Sequence, residues 1–200
     1  MTPIQQLMLG VGGVKKKTYL DDVFSTYLYT GTGSAKSINN GINLSGEGGM
    51  TWIKGRSVGS SHIINDTVRG AGNRINSNGN SSSSSSTAFL SAFNSNGFSI
   101  GDDNDVSYNG QTFASWSFRK TKGFFDVVSW TGNGSNRTIA HSLGCVPGCI
   151  MIKNTSSNEN WRVYHRSIGA EKHVILNLDN ASADSATQFN DTEPTASVFS

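Results

Sequence analysis

Tyr29-Thr30-Gly31-Thr32-Gly33-Ser34-Ala35-Lys36-Ser37-Ile38 reads against Trp130-Thr131-Gly132-Asn133-Gly134-Ser135-Asn136-Arg137-Thr138-Ile139. Five of these ten positions are identical at an offset of 101, and three more are like for like: Tyr/Trp, Lys/Arg and Ser/Thr. Phe24 matches Phe125 at the same offset. Further on the offset becomes 99, where Lys54 matches Lys153 and Gly70-Ala71 matches Gly169-Ala170. Phe93-Asn94 then matches Phe189-Asn190, and Phe98-Ser99 matches Phe199-Ser200. Chance similarity between Gly/Ser/Asn-rich stretches is the alternative. It is the weaker one, because the matches keep their order and include Lys, Phe and Ile. A fixed offset broken only by small length changes is the mark of a duplicated unit, since loops absorb insertions at little cost.

The repeat divides the chain into an arm (residues 1–23), a first β unit (24–119), a short polar linker (120–124) and a second β unit (125–200). The expected class is all-β: tandem jelly-roll or concanavalin A-like sandwich units behind an extended arm. Composition agrees with short strands and many turns. Only 35% of the 200 residues are hydrophobic and 15% are charged. A net charge of +2 provides no broad basic footprint for nucleic acid. No run of about 18 apolar residues is present, so no membrane span is expected, and the start lacks the pattern of a secretory signal.

Local signals place the strands. Tyr27 to Tyr29, Met50 to Lys54, His62 to Ile64 and Phe98 to Ile100 are β-prone stretches bounded by turn formers. Phe113 to Phe118 alternates with period two, and Asn109-Gly110 before it predicts a hairpin. Ser81 to Ser86 predicts a loop. In the second unit the expected strands are Cys149–Lys153, Trp161–Tyr164 and His173–Leu176. The second unit carries no counterpart of the Asn109-Gly110 turn and the aromatic strand after it. The expectation is that the natural protein extends past Ser200 or that another chain supplies those strands.

Candidate chemistry is sparse. Cys145 and Cys149 flank Pro147 without His in metal spacing, which predicts reduced packing thiols. His62, His141, His165 and His173 lie in no nucleophile elbow or H-E-x-x-H motif, so structural or surface roles are expected and the chain reads as no enzyme. Asp102, Asp103 and Asp105 offer oxygen atoms to a calcium ion, but the spacing lacks the Gly and distal Glu of an EF-hand loop and a plain turn is the better reading. Neither a metal nor a cofactor is expected. Trp52, Trp116, Trp130 and Trp161 lie in or beside strands. Core packing is their default role, with Trp52 and Trp161 as candidates for stacking on a sugar ring. In the arm, the apolar Leu7, Met8 and Leu9 and the basic Lys15, Lys16 and Lys17 suit docking on a partner.

The segments Trp52-Ile53-Lys54, Asn65 to Ala71, Ser91 to Phe98 and Asn109 to Trp116 resemble the concanavalin A-like (laminin-G-like) repeats of tailed-bacteriophage structural proteins, marine phages especially. The second half resembles a sister form through Trp130 to Gly134, His141 to Gly144, Pro147-Gly148, Trp161 to Arg166 and Asn190 to Thr192. The resemblance covers residues 24 to 200. It implies a virion protein of the tail fibre or appendage type, anchored through its arm to other virion proteins. It also implies a homo-oligomer, such as a trimer, and contact with a host-surface glycan. A capsid decoration or head fibre protein and a free carbohydrate-binding module are the alternatives.

Overall fold

The computed structural model describes residues 17–200. The arm candidates Leu7, Met8, Leu9, Lys15 and Lys16 lie outside the described residues, and Lys17 is exposed.

In the first half nine strands form two antiparallel sheets. The large sheet holds β1 (Phe24–Thr30), β3 (Gly49–Gly55), β4 (Ile63–Asp66), β5 (Asn73–Asn76), β6 (Ser84–Ser85) and β9 (Thr112–Arg119), in the order β1-β9-β3-β4-β5-β6. The small sheet holds β2 (Lys36–Asn39), β7 (Leu90–Asn94) and β8 (Gly97–Ile100), in the order β2-β8-β7. Two single-turn helices, α1 (Leu44–Glu47) and α2 (Asn104–Ser107), close loops.

Period two does the packing. Tyr29, Ile53, Ile63 and Phe113 point inward from the large sheet and meet Ile38, Leu90, Phe98 and Ile100 from the small one. Tyr29 stacks on Phe113 with ring centroids 5.2 Å apart, and its hydroxyl donates to the Val106 carbonyl at 2.8 Å. Burial pushes the Tyr29 phenol well above its usual pKa, so it stays a neutral donor. Close approach dictates Gly97, among others: it has φ +126°, and a Cβ there would stand 2.0 Å from the Ile38 carbonyl oxygen.

The second half holds six short strands: β10 (Ile139–Ala140), β11 (Cys149–Ile152), β12 (Arg162–His165), β13 (Lys172–His173), β14 (Ala183–Asp184) and β15 (Val198–Phe199). Their pairing repeats the first half residue by residue. Ile38 faces Phe98, and 101 residues on Ile139 faces Phe199. At an offset of 99, Trp52–Ile64 becomes Met151–Val163 and Ile64–Ile75 becomes Val163–Val174. At the same offset Asn73–Ser85 becomes Lys172–Asp184. Single hydrogen bonds recur too. The Asn78 side chain accepts from the His62 N–H at 2.9 Å, and the Asn177 side chain accepts from the Trp161 N–H at 3.0 Å. Gly70 and Gly169 end the equivalent turns at φ +92° and +74°.

Several local expectations are corrected. Asn109-Gly110 is a turn, with Gly110 at φ +75°, but it joins α2 to β9 and closes no hairpin. The strand before a hairpin partner is missing because β9 enters the centre of the sheet, between β1 and β3. Within the serine run, Ser84–Ser85 pairs with β5 as an edge strand, where no side chain needs burial. The strand expected over His173–Leu176 is limited to Lys172–His173, with Val174 adding one bridge to Val163. Both cysteines are free thiols as expected, yet both are exposed and neither packs. Residues 125–131, level with β1, form no strand: Phe125 makes one bridge, to Thr121, and among the described residues no neighbour stands where β9 stands in the first half.

The two halves pack through the outer face of the large sheet. Met50, Ile64 and Ile75 are buried there beneath Trp161, with Trp52, Phe118, Phe125, Val127, Met151 and Leu176 around them. Trp161 is 4% exposed and its indole N–H donates to the Asn76 carbonyl at 2.9 Å. The linker is pinned as well: the Lys120 N–H donates to the Gly48 carbonyl, and its ammonium sits 2.9 Å from Asp126.

Trp161→Ala is expected to cost about 3–5 kcal/mol, the range for deleting a large buried aromatic. Trp161→Phe should cost less but leave the Asn76 carbonyl unpaired. Urea unfolding curves read both.

Candidate functional site

Two concavities border the contact between the halves. The smaller is a shallow depression of about 480 Å³. Trp52 on β3, His62 ahead of β4 and Asn78, which accepts from the His62 N–H, line it from the first half, and Asn177, Leu178 and Asp179 line it from the second. An aromatic face beside amide and carboxylate groups is the chemistry that holds a sugar ring. The larger is a groove of about 1320 Å³ lined by Met50, Trp52 and Phe118 from the first half and by Val127, Trp130 and Met151 from the second.

Of the two tryptophans singled out from the sequence, only Trp52 reaches a concavity with part of its ring free; it meets Trp116 edge-on at 6.3 Å. Trp161 has no free face for a sugar, because both halves bury it. Trp130, assigned to core by default, is 40% exposed and touches Phe199 edge-on.

The acidic cluster is spent on local structure. Asp103 caps α2 by accepting from the Asp105 N–H at 2.8 Å. Asp105 accepts from the Ser61 N–H and pairs with Arg74 at 3.2 Å, while Asp102 is exposed. The Arg74 guanidinium also lies 3.7 Å over the Phe89 ring. Among the described residues no group of three or more His, Cys, Asp or Glu converges on a metal position.

Several titratable groups shift, each for a local reason. His173 is buried; burial, then the Arg162 guanidinium, push its pKa down against the pull of the Ala183 backbone. Burial and Lys54 lower His62. Burial alone would raise Asp126, but the N–H groups of Ser142 and Val127 and the Lys120 ammonium outweigh it and hold the carboxyl below its usual value. Tyr164 is pushed up to about 12 by burial and by Glu193, whose carboxylate accepts its hydroxyl at 2.6 Å. The same carboxylate accepts the Ala170 N–H at 2.9 Å. Glu193 therefore does for the Gly169 turn what Asn65, donating to the Ala71 and Asn73 carbonyls, does for the Gly70 turn. No sequence pattern marks Glu193, because it arrives from a distant loop.

Among the described residues no helix is long and apolar enough to cross a membrane. The chain belongs to the family described as a domain of unknown function (DUF7483), matched over residues 20–200, so one family unit spans both halves. No curated protein and no solved structure matches it.

Stability is expected to fall as pH drops from 7 towards 5. The unfolded histidines take up protons near pH 6.5, while His173 and His62, with lowered pKa values, resist until lower pH. A further loss should follow below about pH 4, the usual carboxylate range, as Asp126 loses its advantage. Thermal melts from pH 8 down to below the carboxylate range read both losses, and His173→Gln should flatten the first drop.

Proposed function

We propose that the chain is a non-enzymatic structural protein of a tailed-bacteriophage particle, of the tail fibre or appendage type. Its arm (residues 1–23) docks on other virion proteins, and its two sandwich units project towards the host surface. The observation that carries this reading is the recurrence of one pairing lattice at a constant offset. A chain that repeats a scaffold, and spends its buried ionisable groups on turns and caps, is organised for rigidity. The resemblance of residues 24 to 200 to phage virion repeats supports the reading of the location. Assembly as a symmetric homo-oligomer, such as a trimer, would multiply weak surface contacts into avidity.

The contact with the host is a glycan held in the depression beside Trp52, where Asn78, Asn177 and Asp179 offer hydrogen-bonding groups to hydroxyls. A capsid decoration role is the competing location.

Gold-labelled antibody against the chain should decorate tails in electron micrographs of the particle; label on capsid hexons would overturn the tail assignment. On a glycan array the intact chain should bind at least one surface polysaccharide, and Trp52→Ala should weaken that binding tenfold or more. No binding at millimolar sugar would leave the structural role alone.

A further inference from the structure

Five asparagines of the chain are followed by glycine: Asn40, Asn78, Asn96, Asn109 and Asn133. An Asn-Gly pair can cyclise on itself. The glycine nitrogen attacks the asparagine Cγ, the side-chain amide leaves as ammonia, and water opens the resulting succinimide to aspartate or isoaspartate. The reaction needs a side chain free to swing and a glycine N–H that is not tied to another acceptor. Glycine favours it because no Cβ hinders the approach.

At three of the pairs the fold removes one of these conditions. Asn40 is held at both ends of its amide: Nδ2 donates to the Ser117 hydroxyl at 2.8 Å, and Oδ1 accepts from the Ile42 N–H at 3.2 Å. Gly97 is wedged against the Ile38 carbonyl, and the Asn96 carbonyl accepts from the Asn40 N–H. The Gly110 N–H donates to the Gly31 carbonyl at 3.0 Å, which ties up the nitrogen that Asn109 would need. Asn78 is held in part. It accepts from the His62 N–H at 2.9 Å, while the Ser77 N–H donates to the His62 carbonyl at 3.0 Å, so its side chain helps tie the start of β4 to the end of β5.

Asn133 differs, and the repeat explains the difference. Its loop corresponds to Gly31-Thr32-Gly33, and Gly134 keeps the left-handed conformation of Gly33, φ +75° against +67°. In the first half Ser107 braces that turn. Its carbonyl accepts the Gly33 N–H at 2.6 Å, and its hydroxyl accepts the Thr32 N–H at 3.4 Å. In the second half the Gly134 N–H has no acceptor among the described residues. Residues 130–137 are all exposed and join no ladder, and a Cβ at Gly132 or Gly134 would meet nothing within 4 Å. The Asn133 side chain is held only by its own loop, where the Ser135 N–H donates to Oδ1 at 3.1 Å. That donor moves with the loop. It also sits on the oxygen that gains negative charge as the nitrogen attacks, which favours the step.

We propose that Asn133-Gly134 is a spontaneous modification site, converting to aspartate and isoaspartate while the fold protects the other Asn-Gly pairs. The product carboxylate is ionised at neutral pH. It places a negative charge next to Gly132, which lines the large groove together with Trp130.

The test incubates the full 200-residue chain at mildly alkaline pH, folded and in parallel in urea. Digests are read by tandem mass spectrometry, which assigns each converted asparagine. Urea gives every pair the rate set by its sequence alone. In the folded chain Asn133 should keep close to its unfolded rate, while Asn40, Asn96 and Asn109 slow about tenfold or more and Asn78 falls between. A folded chain in which Asn133 slows as much as the others, or in which another Asn-Gly pair converts first, overturns the proposal. Asn133→Thr, which installs the residue of the first half's loop, should abolish the first acidic species seen on ion exchange. Persistence of that species in the variant overturns the proposal as well.

Discussion

The burial of Met50, Ile64 and Ile75 beneath Trp161 is the contact on which the rest of the molecule depends. A sandwich normally leaves the outer face of each sheet to water, and polar residues then alternate with the core residues. Here the outer face of the large sheet is apolar at β3, β4, β5 and β9, and it would be wet without the second half. The second half has no large sheet of its own, only two-stranded ribbons, which are marginal in isolation. Each half therefore covers a surface that the other cannot hide. The pinned linker follows from this, since a mobile Lys120–Phe124 segment would not hold the two faces in register.

Much of this was legible in the sequence, and the reason is periodicity. The matches at offsets of 101 and 99 survive in three dimensions as identical strand registers, because a one-residue slip would turn Ile53 or Met151 to the wrong face. Phe113 to Phe118 was readable as a strand for the same reason. What was not readable depended on partners. Asn109-Gly110 has the chemistry of a hairpin turn, yet topology sends the following strand to the sheet centre. Val174 to Leu176 has strand propensity but only one bridge to satisfy it. Residues 125–131 repeat a strand sequence without a ladder neighbour among the described residues, and propensity alone does not make a ladder.

The candidate site was legible only at Trp52. Trp161 offers the same residue type and the same strand context, but burial between the halves decides its role, and a pairwise repeat does not announce which faces meet. The acidic residues show the opposite case. Asp103 and Asp105 sit close together in sequence as oxygen donors would, but a helix cap and Arg74 claim them first. Glu193 carried no signal at all, yet it fixes Tyr164 and the Gly169 turn together.

The pairing of β1 with β9 has a mechanical consequence. The first strand of the front unit lies against its last, with Phe24 opposite Phe118, so the chain enters and leaves that unit at one end of one ladder. Tension applied along the chain would open such a ladder like a zipper, one pair at a time, and not in shear across all seven. At the end where opening would begin, Phe24, Phe118, Phe124 and Phe125 form a cluster with ring centroids 5.0 to 6.5 Å apart. Four packed rings at the mouth of the zipper act as its latch, adding aromatic packing to the backbone hydrogen bond from Arg119 to Val23 that closes the same end.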